Sequence, residues 1–309
     1  MVVGTQDPPG LRFYVNAWLL AARPVTLSAA VVPVLLGTGL AAKVGSLDVL
    51  MFILALTGAV FIQVGTNLAD EYTDHRNPNS ENKYPAPHKV IERGLLSEQS
   101  ILYGIGLSFA LSTAIGLFLT IQVGWPILVV GIFSILAGYS HSSGPYPLGH
   151  HLLGEITVFV FMGPLIVMAS YYVQIQELLW STFWVSLPVA FLVTAILQCN
   201  NLRDREDDKA VMKHTFATLL PLPAGRYVYF LLIFGAYGTL LLNTLFGVLP
   251  FLTLVSFATL PKAYSLSLSL WRANSRINYN VILVGTAKLH MYFGSLFVVG
   301  VIGDTLLRS

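Results

Sequence analysis

The chain has little charge and almost no cysteine. Of its 309 residues, 10% are Asp, Glu, Lys or Arg, and Cys199 is the only cysteine. A lone cysteine excludes an internal disulfide, and the seven histidines show no ligand spacing with it that would suit zinc. The formal net charge of +2 says little by itself, its distribution says more, and no nucleic-acid partner is expected. No cleavable leader is evident, because the first 13 residues are polar and Pro-rich and the hydrophobic run after them is too long for a signal core. What remains is apolar: 55% hydrophobic residues and a mean hydropathy of +0.71. That balance excludes an ordinary soluble domain and points to a protein resident in the lipid bilayer.

Nine hydrophobic runs approach the roughly 20 residues that a helix needs to cross a bilayer. They lie near 16–42, 49–73, 98–121, 125–142, 152–174, 180–203, 216–243, 245–270 and 281–305. The expected fold is all-α, a polytopic bundle of nine transmembrane helices in one intramembrane domain over 1–309. Placing the N-terminus inside puts 14 of the 17 basic residues on the inner side, Lys262 among them. This asymmetry predicts a cytoplasmic N-terminus, an external C-terminus and, for a prokaryotic chain, a plasma-membrane location.

The scarce acids are not scattered. One cluster is Asn67-Leu68-Ala69-Asp70-Glu71-Tyr72-Thr73-Asp74, and the other runs from Asn200 and Asn201 through Arg203, Asp204, Arg205 and Glu206 to Asp207 and Asp208. Both end greasy helices, and both fall on the inner side. Residues three, four and seven apart share a helix face, so Asn67, Asp70, Glu71 and Asp74 aim together. At 100° per residue, Asn200, Asp204, Asp207 and Asp208 occupy about one-third of a circumference, with Glu206 off it. Carboxylates at a membrane surface need neutralising, and two oxygen clusters suit Mg2+ shared with a diphosphate. The bland alternative is a solvated helix end paired with nearby cations; two similar segments make it the weaker reading.

Cations flank both clusters: Lys83, Lys89 and Arg93 after the first, Arg203, Arg205, Lys209 and Lys213 around the second. They are candidates for phosphate oxygens, although inner loops are basic for topological reasons as well. Arg23-Pro24 opens the first run, and Arg23 is either another phosphate ligand or a snorkelling side chain. A third polar island runs from Gly138 and Tyr139 through His141, Ser142, Ser143 and Gly144-Pro145-Tyr146-Pro147 to Glu155. Tyr139 or His141 could donate to a phosphate or meet a cation, whereas an interfacial tyrosine anchoring the membrane boundary is the simpler reading of Tyr139 alone. Glu155 suits a helix start. Lys288 and His290 lie inside the last run, where an intramembrane lysine needs a partner or a polar cavity.

Together these stretches resemble the UbiA superfamily of intramembrane aromatic prenyltransferases, and within it the 1,4-dihydroxy-2-naphthoate polyprenyltransferases of menaquinone synthesis. The likeness is carried by residues 22–27 with 32–37, 67–74, 138–155 and 200–215. Its most specific part is Asn200-Asn201-Leu202-Arg203-Asp204, followed by Asp208 and Lys213-His214-Thr215. The chain departs from the family pattern at Glu71, where Asp is usual, and at His141, where Tyr is usual. It departs also at Met212, where Gly is common, and in having Pro78 or Ser80 for a further acid that Glu81 could replace.

The resemblance implies a nine-helix bundle with a central cavity capped by cytosolic loops. It implies Mg2+ held by Asn67, Asp70, Glu71, Asp74, Asn201, Asp204 and Asp208. It further implies a diphosphate held by Arg23, Lys89, Arg93, Arg203 and Lys213, with Asp74, Asp204 and Tyr139 in catalytic roles. The implied reaction joins a polyprenyl diphosphate to an aromatic acid, with loss of CO2 from dihydroxynaphthoate to give demethylmenaquinone. The acceptor alternatives are 4-hydroxybenzoate, homogentisate and a lipid-like alcohol. A secondary transporter is the rival of another class, but transporter sites lie near the bilayer midplane rather than at helix ends.

Overall fold

The computed structural model describes residues 10–76 and 88–308; Pro78, Ser80, Glu81 and Lys83 lie outside them. The described residues are helical, without strands. Among the described residues, eight segments are long and apolar enough to cross a membrane, and the shorter apolar helix α5 (Pro126–Ser142) is a ninth.

The first expected span proves to be two helices. α1 (Leu11–Ala22) ends at Arg23, whose backbone is left-handed at φ 53°. Pro24 then opens a 3-10 turn, Pro24–Leu27, that runs into α2 (Ser28–Lys43). A residue before proline is driven out of the α region, so Arg23-Pro24 is a natural break. At 12 residues, α1 is about 18 Å long and too short to cross a bilayer. It buries Ala17 and Ala21 in a cluster with Leu68, Val90 and Ile101, which fixes the approach of Arg23 to the bundle.

α2 is deeply embedded and packs closely on a broken helix pair. α6 (Leu153–Val160) passes through a π-helical turn, Phe161–Leu165, into α7 (Ile166–Ile175). Gly37 of α2 lies so close that a Cβ there would clash with the Val167 carbonyl oxygen. Only glycine allows that approach of two backbones.

α3 (Val49–Arg76) and α8 (Trp180–Arg203) carry the acidic segments to the same end of the bundle. α4 (Glu98–Val123) starts with Ser97 as its cap, the Ser97 Oγ accepting from the Ser100 N–H at 3.1 Å. Beyond α8 lie the short α9 (Arg205–Ala210) and α10 (Phe216–Leu219), then α11 (Leu222–Leu245). The seventh expected run therefore begins six residues late, because Thr215 and Thr218 form a capping box around α10. A 3-10 stretch, Phe251–Thr259, leads into α12 (Leu260–Arg272), and α13 (Arg276–Arg308) closes the bundle. Lys262 is thus inside a spanning segment and not among the inner loops.

Candidate active site

Four chain segments converge at one end of the bundle. A polar pocket of about 60 Å3 is lined by Arg23, Asp70, Asp74, His88, Lys89, Asn200, Arg203, Asp204, Asp208 and Lys213. It adjoins a larger and mostly apolar cavity of about 600 Å3. Arg23, Asp70, Asp74, Asn200 and Lys213 border both. Along α3 the large cavity extends from Asp74 to Ala55, about 28 Å of helix.

Each acid of the pocket has its own cation. Arg23 Nη1 lies 2.5 Å from Asp70 Oδ2, and Lys89 Nζ lies 2.5 Å from Asp74 Oδ2. Arg203 grips Asp204 through Nε at 2.8 Å and Nη2 at 2.6 Å. Lys213 Nζ is 3.0 Å from Asp208 Oδ2. Arg23 has more to give: its Nε and Nη2 are buried with no acceptor among the described residues. His88 sits among Arg23, Lys89 and Arg203, and burial with these cations holds its imidazole down at about 2, hence neutral.

The third polar island supports α3 from the side. Ser142 Oγ donates to Asp70 Oδ1 at 2.8 Å, and the Thr73 and Ser143 hydroxyls are 2.6 Å apart. His141 lines the large cavity and packs on Gly149, where a Cβ would clash with the His141 carbonyl oxygen at 2.7 Å. Tyr139 does not join them. It is 45% exposed on α5 and borders neither cavity. Arg93 is likewise exposed on the turn after Lys89 and outside both linings. The structure therefore does not bring Arg93 or Tyr139 together with the other expected site residues among the described residues.

Three residues expected among the metal ligands have other partners. Glu71 is fully buried and absent from both linings; its Oε1 accepts the Ile91 N–H at 3.1 Å and so anchors the segment carrying His88 and Lys89. Asn67 donates to the Ala22 carbonyl at 2.8 Å and to Thr26 Oγ1 at 3.2 Å, bracing the break beside Arg23. Its Oδ1 accepts from Gln63 Nε2. Asn201 donates to Glu155 Oε1 at 3.0 Å, and the same oxygen accepts the Phe216 N–H at 3.1 Å. Glu155 is therefore a bracket between α6, α8 and α10. Asn201 and Asn67 still border the large cavity, and the Asn201 Oδ1 is buried without a hydrogen-bond partner among the described residues.

The second acidic segment is not one continuous helix. Asp204 leaves α-helical geometry (φ −97°, ψ 8°) and separates α8 from α9. The break turns Asp208 into the pocket and Asp207 toward Arg276 of α13, with which it pairs. Continuous 100° steps could not anticipate that divergence. Met212 lies at φ 55°, a left-handed conformation that glycine adopts without penalty. Arg205 binds the carbonyls of Ala217 and Leu220 and fixes α10.

Among the described residues, no three His, Cys, Asp or Glu side chains already close on one point. The donor chemistry of the pocket nevertheless fits a hard cation: Asp70, Asp74, Asp204, Asp208 and Asn200 offer oxygens around one small space. Using them means that the paired lysines and arginines let go in part, which an anionic ligand in the same pocket would favour.

Comparison with known proteins agrees with this geometry. The profile of the UbiA prenyltransferase family matches residues 30–284. A 1,4-dihydroxy-2-naphthoate octaprenyltransferase of Bacillus subtilis is 28% identical over 292 residues, covering 92% of this chain and 91% of that protein. The octaprenyltransferase of the same description from Escherichia coli is 32% identical, over 75% of this chain and 77% of its own. Among solved structures, an apo UbiA homolog from Aeropyrum pernix aligns with a TM-score of 0.64 at 14% identity, covering 89% of this chain and 97% of that one. A UbiA homolog from Archaeoglobus fulgidus bound to GPP and Mg2+ aligns at 0.61 and 15% identity, over 91% and 99% of the two chains.

Proposed function

The chain belongs to the UbiA prenyltransferase family, and on that premise we propose that it transfers a polyprenyl group from a polyprenyl diphosphate to 1,4-dihydroxy-2-naphthoate. The observation that carries this reading is the union of the two cavities. A pocket of paired charges adjoins a mostly apolar cavity of about 600 Å3, the two sharing Arg23, Asp70, Asp74, Asn200 and Lys213 in their walls. Such a space suits one ligand with an anionic head and a long apolar tail. The curated relatives named above act on this naphthoate by their descriptions, which supports the choice of acceptor.

The side chains take their roles from position. Arg23, Lys89, Arg203 and Lys213 surround the polar pocket and suit the diphosphate oxygens. Arg23 Nε and Nη2 are buried donors without an acceptor among the described residues, in a residue that lines the polar pocket. Asp70, Asp74, Asp204 and Asp208 would hold Mg2+, and when bound it supplies positive charge beside the leaving diphosphate. The allylic C–O bond breaks, and its electron pair leaves with pyrophosphate. The apolar wall of the cavity keeps water from the allylic cation. An electron-rich carbon of the naphthoate ring then forms the new C–C bond. CO2 departs from that carbon, its bonding pair restores the aromatic ring, and the carboxyl proton ends on pyrophosphate. The first product is the quinol of demethylmenaquinone.

We place the site end at the cytoplasmic surface, because Arg23, Arg76, Lys89, Arg203, Arg205 and Lys213 all gather there. The deciding experiment is an assay of the purified protein in lipid with Mg2+, a polyprenyl diphosphate and a panel of aromatic acids. Prenylated naphthoquinol with equal CO2 release is the expected result. Prenylation of 4-hydroxybenzoate or homogentisate in place of the naphthoate would move the acceptor assignment while keeping the chemistry. No prenyl transfer to any acceptor would overturn the reading.

A further inference from the structure

Far from the polar pocket, two lysines stand on the outside of the bundle in the middle of spanning helices. Lys288 is exposed on α13, and Lys262 is partly exposed on α12. Lys262 Nζ lies 4.7 Å from the centroid of the Tyr292 ring. Tyr292 is one turn beyond Lys288 on the same face of α13, so both ammonium groups share one patch. Neither lysine makes an ion pair among the described residues.

The depth of the patch makes it costly. Lys288 lies about 18 Å along the helix from Arg276, and Lys262 about 15 Å from Arg272. Those distances exceed the reach of a lysine side chain to the near surface. Charged side chains at such depth normally face a bundle interior or pair with one another. Here they face outward, and their surroundings on α12 are polar as well. Ser265 and Ser269, three and seven residues beyond Lys262 and so on its face of α12, are both exposed. Small and hydroxyl side chains on an outer helix face are the usual material of helix–helix contact in a bilayer.

We infer that the α12–α13 face is a docking site for a transmembrane helix of a different membrane protein that carries a carboxylate at mid-span. Charge complementarity selects this occupant. Phospholipid head groups stay at the surface and do not reach the patch. Among its described residues, a second copy of the chain offers no suitable acid. Its described acids are Asp48, Asp70, Glu71, Asp74, Glu92, Glu98, Glu155, Glu177, Asp204, Glu206, Asp207, Asp208 and Asp304, and all sit in loops or toward helix ends. The inference is independent of the reaction assigned above.

The test uses the full-length protein in phosphatidylcholine vesicles and a synthetic leucine–alanine helix of about 20 residues. One peptide has Glu at its centre and the control has Gln; association is read by energy transfer between labels. The Glu peptide should reach half-maximal transfer at about a tenfold lower peptide-to-lipid ratio. The double variant Lys262→Leu/Lys288→Leu should remove that difference and leave prenyl transfer unchanged. A single Lys288→Glu variant should instead gain preference for a peptide with central Lys, which guards against an uninformative loss of folding. Equal association of Glu and Gln peptides, or a preference that survives the double variant, would overturn the inference. So would energy transfer between copies of the protein itself that Lys288→Leu abolishes, since the occupant would then be a second copy.

Discussion

Arg23 and Asp70 meet at 2.5 Å, and the arginine reaches across from a left-handed residue at a helix break. Two separate features of Arg23 thus bear on the site: the backbone turn that aims it, and the guanidinium that pairs with Asp70 and that we propose meets the diphosphate. Three substitutions separate them. Arg23→Ala and Arg23→Gly should both lower turnover about 100- to 1,000-fold, as losing one preorganised electrostatic contact does. Arg23→Gly should be the more stable by about 1 kcal/mol, because glycine tolerates the left-handed backbone. Arg23→Lys should bind the diphosphate less well than wild type, having no planar fork. Turnover gives the first comparison and thermal unfolding in detergent the second.

The acids divide by where they point. Chelating divalent metal should abolish prenyl transfer, and added Mg2+ should restore it. Asp70→Ala, Asp74→Ala, Asp204→Ala and Asp208→Ala should each cost about 100- to 1,000-fold in turnover. Asp207 pairs with Arg276 outside the pocket, and Glu206 is 71% exposed. Asp207→Ala and Glu206→Ala should therefore retain most turnover. Full activity in chelator, or a loss in Glu206→Ala to match Asp208→Ala, would remove the pocket from the mechanism.

Glu71 tests anchoring against metal binding. As a ligand one methylene too long, it would accept Asp with little change. Its observed partner is the Ile91 N–H, and a shorter arm draws back from that donor. Glu71→Gln keeps an acceptor oxygen and should keep most activity, whereas Glu71→Asp should weaken diphosphate binding by loosening the segment with His88 and Lys89. Steady-state KM for the polyprenyl diphosphate, measured against kcat, distinguishes the two. A fall in kcat alone for Glu71→Gln would return Glu71 to the metal.

Much of this architecture was legible beforehand, for physical reasons. Spans of apolar residues must be helical in lipid, since no water is there to satisfy the backbone. Clustered acids in a chain so poor in charge stand out, and Asp70, Asp74, Asp204 and Asp208 do share one pocket. Helical spacing was a poorer guide to individual side chains. It places Glu71 beside Asp70, but only the packing of the 88–97 segment shows which of them faces inward. It runs Asp207 and Asp208 together, because the break at Asp204 carries no proline or glycine to announce it. Ser142, Ser143 and His88 carried no spacing signal of their own; each matters through a partner distant in sequence. Arg23-Pro24 carried a usable signal, the steric effect of proline on the residue before it, but the apolar run on either side of it reads as one span and hides the break.

His88 provides a pH test with a definite sign. Burial, Arg23, Lys89 and Arg203 hold its folded-state value at about 2, against 6.5 for an unrestrained imidazole. The folded protein therefore stays unprotonated at His88 between these values, while the unfolded chain takes up a proton. Stability from this residue is complete above pH 6.5 and falls as pH drops below it, by at most about 1.4 kcal/mol per pH unit. The midpoint of thermal unfolding should decline from pH 7 to pH 5, and His88→Asn should flatten part of that decline. Anion binding should reverse the local bias. A diphosphate among these cations offsets their charge and favours the imidazolium, so binding below pH 6.5 should take up protons. Calorimetry of pyrophosphate binding, in two buffers of different ionisation enthalpy, measures that uptake directly. It should be present in the wild type at pH 6 and reduced in His88→Asn. Equal uptake in both proteins would mean that His88 stands apart from the anion and that the pocket closes around it without using the imidazole.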